Sequence, residues 1–259
     1  MEHVNPSFTA PTAPLKWSLD RRPHVLLGIT GSVAAVKWEE LTLELLTFAD
    51  VRVIHTHSAL HFAGMCREYA PHISVAWTAA SAEVGSLGIA GSDNKLPVAS
   101  ARLGLLGDAV EWEGYARVGS DAVVHIDLRA WADVLIIAPA SAHSIGKIVG
   151  GLADNLLTTV ARAWPFMSKR VAKPFILAPA MNMDMWAHPV TESHMNVLKG
   201  WGVGIINPVE KVLACGDVGV GGLANIADII LRIKVELGVL CDNDVMRFES
   251  NLKSTSFPS

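Results

Sequence analysis

Short runs that are apolar at nearly every position alternate along this chain with longer stretches of helical periodicity. That alternation restricts the fold more than any other feature. A strand that can expose neither face must lie in a sheet covered on both sides, and helices between such strands supply the cover. Residues 24–29 (HVLLGI) open the pattern as a strand that runs into Gly31. Residues 32–48 follow as a helix, with Val36, Leu41, Leu45 and Phe48 as its apolar positions. Residues 51–54 read as a strand and 60–69 as a helix. Residues 123–128 (VVHIDL) read as an apolar strand with His125 inside it, and 133–138 (DVLIIA) is the clearest strand of all. A helix over 144–164 follows, despite three glycines. Then come a strand at 173–178 (KPFILA), a helix at 191–199 and a short strand at 204–206. The last helix, 224–237, has Ile226, Ile229, Ile230, Ile233 and Leu237 on one face. The expected fold is α/β, a parallel sheet with helices on both faces, in one domain.

That domain should span 23–239. Prolines at 6, 11 and 14 and the absence of apolar period mark 1–22 as a flexible tail, and 240–259 is a polar C-terminal tail. Residues 78–108, rich in Ala, Ser, Gly and Leu, show no clear period and read as an insertion loop. Of 259 residues, 51% are hydrophobic and 18% charged, against roughly 25% charged in ordinary soluble domains. A well-buried core follows, and disorder is excluded. The net charge of −4, with no long basic run, makes nucleic acid and anionic membrane poor partners. Three cysteines, Cys66, Cys215 and Cys241, form no CxxC pair, so no metal site is expected. The longest apolar runs fall far short of the ~20 residues that span a bilayer. The N-terminus lacks a basic start before an apolar core, so a cytoplasmic location is expected.

Sheets of this kind bind ligands at the carboxyl ends of their strands, and five loops lie there. Thr30-Gly31-Ser32-Val33 leads from strand to helix, so free N–H groups and a hydroxyl suit a phosphate. The spacing is neither GxGxxG nor a P-loop, and a tight turn explains it equally. Thr56-His57-Ser58 is a polar turn or a helix cap. Residues 138–144 (APASAHS) offer small side chains and hydroxyls, though His143 can simply fill space. Residues 178–186 (APAMNMDMW) hold three methionines and a tryptophan, costly to expose. Residues 213–217 (LACGD), followed by glycines 219, 221 and 222, put Cys215 in a Gly-rich stretch, as a flap thiol or an inert packed residue. His125 is a core histidine or a base.

GSVAA, PASAHSIGKIVGGLADNLL, PAMNMDMW and LACGD, in this order and spacing, resemble the flavin-containing cysteine decarboxylases. PAMNMDMW fits that family's PxMNxxMW motif at every fixed position, HIDLRAWAD is nearly as specific, and the likeness covers 23–77 and 113–238. The resemblance implies a Rossmann-like, flavodoxin-type sheet and FMN as cofactor. It implies that Gly31, Ser32 and Val33, then Thr56 and Ser58, then Ser141, Ala142, His143 and Ser144, with Ala180, hold the FMN. It makes His125 the catalytic base, Asn182 the holder of the substrate carboxylate, Ala214 and Met185 substrate neighbours, and Cys215 the proton donor on a mobile flap. The sequence departs from the family at His143-Ser144, where Asn-Thr is usual, at Gly219–Leu223, and in the 78–108 segment.

The implied reaction is decarboxylation of 4′-phosphopantothenoylcysteine to 4′-phosphopantetheine in coenzyme A biosynthesis. A cysteinyl carboxylate has no neighbouring group to accept the electrons left by CO2. Oxidation of the adjacent CH2–SH to a thioaldehyde creates that acceptor, and a flavin is suited to the step. The family also implies a homotrimer. Two alternatives share the fold: a regulatory subunit of a protein phosphatase, and a decarboxylase of peptidyl cysteine. Retention of His125, Asn182 and Cys215 favours an enzyme over the phosphatase subunit.

Overall fold

A computed structural model describes residues 21–84, 86–87, 103–112, 115–118, 121–166, 172–212, 218–240 and 244. The first half holds β1 (His24–Ile29), a 3-10 turn (Val33–Lys37), α1 (Trp38–Leu46), β2 (Asp50–His55), α2 (His57–Ala63), α3 (Cys66–Tyr69) and α4 (Pro71–Val84). Next come β3 (Ser86–Leu87), β4 (Leu103–Leu106), a second 3-10 turn (Asp108–Glu111), α5 (Val124–Trp131), β5 (Val134–Ala140), α6 (Ala142–Val149) and α7 (Leu156–Arg162). The last part holds β6 (Phe175–Pro179), α8 (Met183–Ala187), α9 (Pro189–Gly200), β7 (Gly204–Ile205), β8 (Val209–Val212), β9 (Val218–Gly222) and α10 (Ile226–Leu237).

Among the described residues seven strands form one parallel sheet in the order β3-β4-β2-β1-β5-β6-β7. From β1 the chain places β2, β4 and, at the edge, β3 on one side, then restarts at β5 on the other. That reversal opens a crevice at the carboxyl ends of β1 and β5. Alternate residues of the central strands feed two cores. Val25, Leu27 and Ile29 pack with Leu41 and Leu45 of α1 and Ile229 and Ile233 of α10. Leu26, Leu135 and Ile137 pack with Leu128 of α5, Ile145 of α6, Leu157 of α7 and Leu198 of α9. Each such side chain contributes about 1.5–3 kcal/mol by leaving water.

Four expectations need correction. Residues 124–131 are helix, not strand: Val124 and Leu128, one turn apart, are the buried face of α5. The 78–108 segment is not simply a loop, since 78–84 complete α4 and Leu103–Leu106 pairs with β2, burying Leu103 and Leu106. The 144–164 helix is two helices, broken where Gly151 takes φ +71°, a left-handed backbone that favours glycine. The N-terminal tail also ends before residue 22. Arg21 grips Asp133 with two hydrogen bonds of 2.8 Å, and Arg22 reaches Asp50 and the carbonyls of Leu46 and Ala49.

Candidate active site

Four sheet strands run into helical N-termini along one edge. After β1 the chain turns through Thr30 and Gly31, and Ser32 accepts from Ala34 N at 3.4 Å to start the first 3-10 turn. After β2, Thr56 begins α2. After β5, Ser141 caps α6 by accepting from Ser144 N at 3.3 Å, with the two hydroxyls 3.2 Å apart. After β6, Asn182 Oδ1 caps α8 by accepting from Asp184 N at 2.8 Å. The buried Thr30 hydroxyl ties two of these turns: it donates to Pro139 O and accepts from Ser141 N, each at 2.8 Å.

Between the turns lie two adjoining cavities of about 490 and 330 Å3 that share Gly31, Ser141 and His143. The smaller is the more polar of the two, with Thr56, Ser58 and Ser144 on its wall. The larger is lined by Ser32, Val33, Ala142, Ala180, Asn182 and Met185. Every residue expected to hold FMN therefore lines one cavity or the other, although they come from four separate segments. His143 touches both, so its departure from the family pattern falls inside the site.

The residues fit an FMN-sized ligand with a phosphate end. Gly31 packs so closely on α2 that a Cβ would sit 2.6 Å from Ser58 Cβ, which leaves the backbone itself as the cradle. The Thr56 hydroxyl is buried with no hydrogen-bond partner among the described residues. Helical N–H groups and hydroxyls are the donor set a phosphate needs. The apolar wall of the larger cavity, with Met181, Met185 and Leu223, suits a flat ring.

The β8–β9 hairpin closes the far side. Met181 N donates to Gly221 O at 2.9 Å, and side chains at Gly219 and Gly221 would strike Met183 and the Met181 carbonyl. The glycines of this stretch thus serve close packing on the Met-rich turn. Ala214 and Cys215 lie outside the described residues, in the segment between β8 and β9. Cys66 shows what an inert thiol looks like: its Sγ donates to Ala63 O, and burial, then the charge of Glu39, push it up to about 11.

His125 is the exception among the expected residues, for it lines neither cavity. Its Nδ1 instead lies 2.5 Å from Oε1 of Glu111, a residue sequence reasoning did not single out. Lys37 and Lys211, also missed, both line the larger cavity. Lys211 donates to Leu223 O at 3.1 Å. Burial first, and then the neighbouring charge of Lys37, push its ammonium below the ordinary lysine range. Lys37 follows directly on GSVAAV in the sequence, but only the fold brings it to Lys211.

The family pattern described as Flavoprotein matches residues 16–238. A phosphopantothenoylcysteine decarboxylase of Mus musculus is 38% identical over 222 residues, covering 85% of this chain and 90% of its own. A solved structure of a cysteine-to-serine mutant of PPC decarboxylase, complexed with pantothenoylaminoethenethiol, is similar at TM-score 0.65 and 38% identity, over 83% of this chain and 98% of that one. The FMN binding protein AtHal3 is similar at TM-score 0.64 and 38% identity, over 85% of this chain and 100% of that one. Identity at this level over more than four fifths of the chain reaches past a shared fold, and the chain belongs to the flavoprotein family, among the phosphopantothenoylcysteine decarboxylases.

Proposed function

We propose that this chain uses FMN to decarboxylate 4′-phosphopantothenoylcysteine to 4′-phosphopantetheine, a step of coenzyme A biosynthesis. The observation that carries the reading is the pair of joined cavities, the smaller more polar than the larger, at the switch point of the sheet. Gly31, Ser32, Val33, Thr56, Ser58, Ser141, Ala142, His143, Ser144 and Ala180 hold the cofactor. When bound, FMN supplies a reversible two-electron sink beside the substrate.

The chain's own residues do the rest. Asn182 lines the larger cavity, and an asparagine amide can donate a hydrogen bond to a carboxylate through its NH2. A neutral donor orients the carboxylate without a full opposite charge, which suits a group that must leave as uncharged CO2. Lys37 and Lys211 give the larger cavity a cationic wall, which suits a substrate with two anionic groups. His125 takes the substrate proton: the S–H bond breaks, an N–H bond forms, and the electron pair stays on sulfur. Ala214 and Met185 adjoin the substrate, and Cys215 returns a proton to carbon after CO2 has gone.

Because His125 lines neither cavity of its own chain, its role as base requires a second copy to carry it to the site. The homotrimer supplies that copy, and the exposed apolar side chains of Val33 and Met185, which line the larger cavity, agree with cover by a neighbour. The test is direct: purified protein should carry FMN absorbance and release one CO2 per 4′-phosphopantetheine formed. Flavin-loaded protein that leaves the substrate intact would overturn the reading.

A further inference from the structure

We infer that Glu111 is the positioning residue for His125, holding the imidazole in the tautomer whose Nδ1 carries the proton and whose Nε2 presents the lone pair. The inference rests on the reading of His125 as the base. Glu111 ends the 3-10 turn after β4 and is 8% exposed, and its Oε1 lies 2.5 Å from His125 Nδ1. An ionised carboxylate only accepts hydrogen bonds, so the proton between these atoms belongs to Nδ1. Nε2 is then the nitrogen left to act. A buried carboxylate without a partner is costly. Its second oxygen, Oε2, has no partner among the described residues, so the imidazole carries that burden at Oε1.

Both partners sit on parts of the fold that cannot easily shift. The turn carrying Glu111 is fixed at its start, where a Cβ on Gly107 would lie 2.7 Å from His55 Cε1. Asp108 accepts from Leu156 N at 3.1 Å, and Val110 is buried in the core. Helix α5 is anchored by Val124 and Leu128, and Lys173 donates to the carbonyls of Arg129, Ala130 and Ala132 at its end. The pair is therefore held by two rigid elements. When Nε2 gains the substrate proton, Nδ1 keeps its own and Glu111 takes none. The carboxylate then faces an imidazolium and stabilises it, as an orienting acid does for a catalytic histidine elsewhere.

The test compares FMN-loaded wild type, Glu111→Gln, Glu111→Asp and His125→Asn, with histidine ring nitrogens labelled for NMR above the ordinary imidazole range. In wild type the His125 signal should show a protonated Nδ1 and a bare Nε2. Glu111→Gln should lose that pattern and lower kcat by about 10²–10⁴, the span of general-base catalysis, with KM and bound FMN retained. Glu111→Asp, which keeps the charge in the same turn, should hold the Nδ1–H form with intermediate kcat, and it carries the test if Glu111→Gln does not fold. An unchanged tautomer or an unchanged kcat in Glu111→Gln would overturn the inference. Substrate turnover by His125→Asn at wild-type rate would instead overturn the reading of His125 as base, leaving the tautomer result to stand or fall separately.

Discussion

Asn182 caps a helix and is assigned a substrate as well, two tasks for one amide. Its Oδ1 caps α8, and the residue lines the cavity that would take the substrate. Substitutions can part the two. Asn182→Ala removes both, and loss of the cap should cost about 1 kcal/mol of stability. Asn182→Asp keeps an acceptor for Asp184 N but sets a carboxylate against the substrate's own. Stability should therefore fall in the first variant and hold in the second, while both lose most substrate-driven flavin reduction and keep FMN. Urea titration and anaerobic mixing read these outcomes, and a fully active Asn182→Asp would remove the substrate role. The sequence revealed Asn182 because its motif is contiguous. Glu111 stayed hidden because its partner is fourteen positions away and the turn that carries it has no signature of its own.

At the scale of elements, what could be read was the alternation, and what was lost lay where two periods fit one segment. VVHIDL sets its two polar residues, His125 and Asp127, two positions apart among apolar ones, as a strand can, yet Val124 and Leu128 also stand four apart on a helix. Packing of that face among the side chains beneath α6 and α7 decides for the helix. LGLL at β4 lacks β-branched residues and contains glycine, so its buried place in the sheet comes from tertiary pairing alone. The Gly-rich stretch read as a flap is flanked by an antiparallel pair, β8 and β9, whose place depends on backbone contact with Met181. Gly221→Ala tests this element. The added methyl meets the Met181 carbonyl and should lift the hairpin from the Met-rich turn. The hairpin lies outside the main sheet, so Tm should fall by only a few degrees, roughly what 1 kcal/mol does in a chain of this size. KM should rise about tenfold or more, and hydrogen exchange in 181–187 should quicken. A variant with wild-type KM would show that the hairpin does not shape the substrate cavity.

The whole molecule couples its stability to two histidines of the sheet. Burial is the main cause that holds the imidazoles of His24 and His55 below the ordinary 6.5; at His24 the Trp131 carbonyl pulls the other way and Arg21 adds to the lowering. The fold prefers both rings neutral, so the unfolded chain binds more protons as pH falls. Their contribution is complete above about 6.5 and is lost as pH drops through the lower, folded-state values. The urea midpoint should thus decline from about pH 7.5 to about pH 5, before carboxylates titrate, and a flat or rising midpoint would contradict this. The molecule as an assembly makes a sharper claim. If each site joins Asn182 of one copy to His125 of another, His125→Asn and Asn182→Asp subunits are each inactive for different reasons. Mixed oligomers then contain some sites with a wild-type residue at both positions. Co-expressing the two variants with separate tags and purifying through both should restore a measurable part of wild-type CO2 release, with neither homo-oligomer active. Sites built within one chain could never recover in such a mixture, because every chain would carry one of the two lesions. Absence of activity in a folded, FMN-loaded mixed oligomer would therefore return His125 to its own subunit and remove the reason for a shared site.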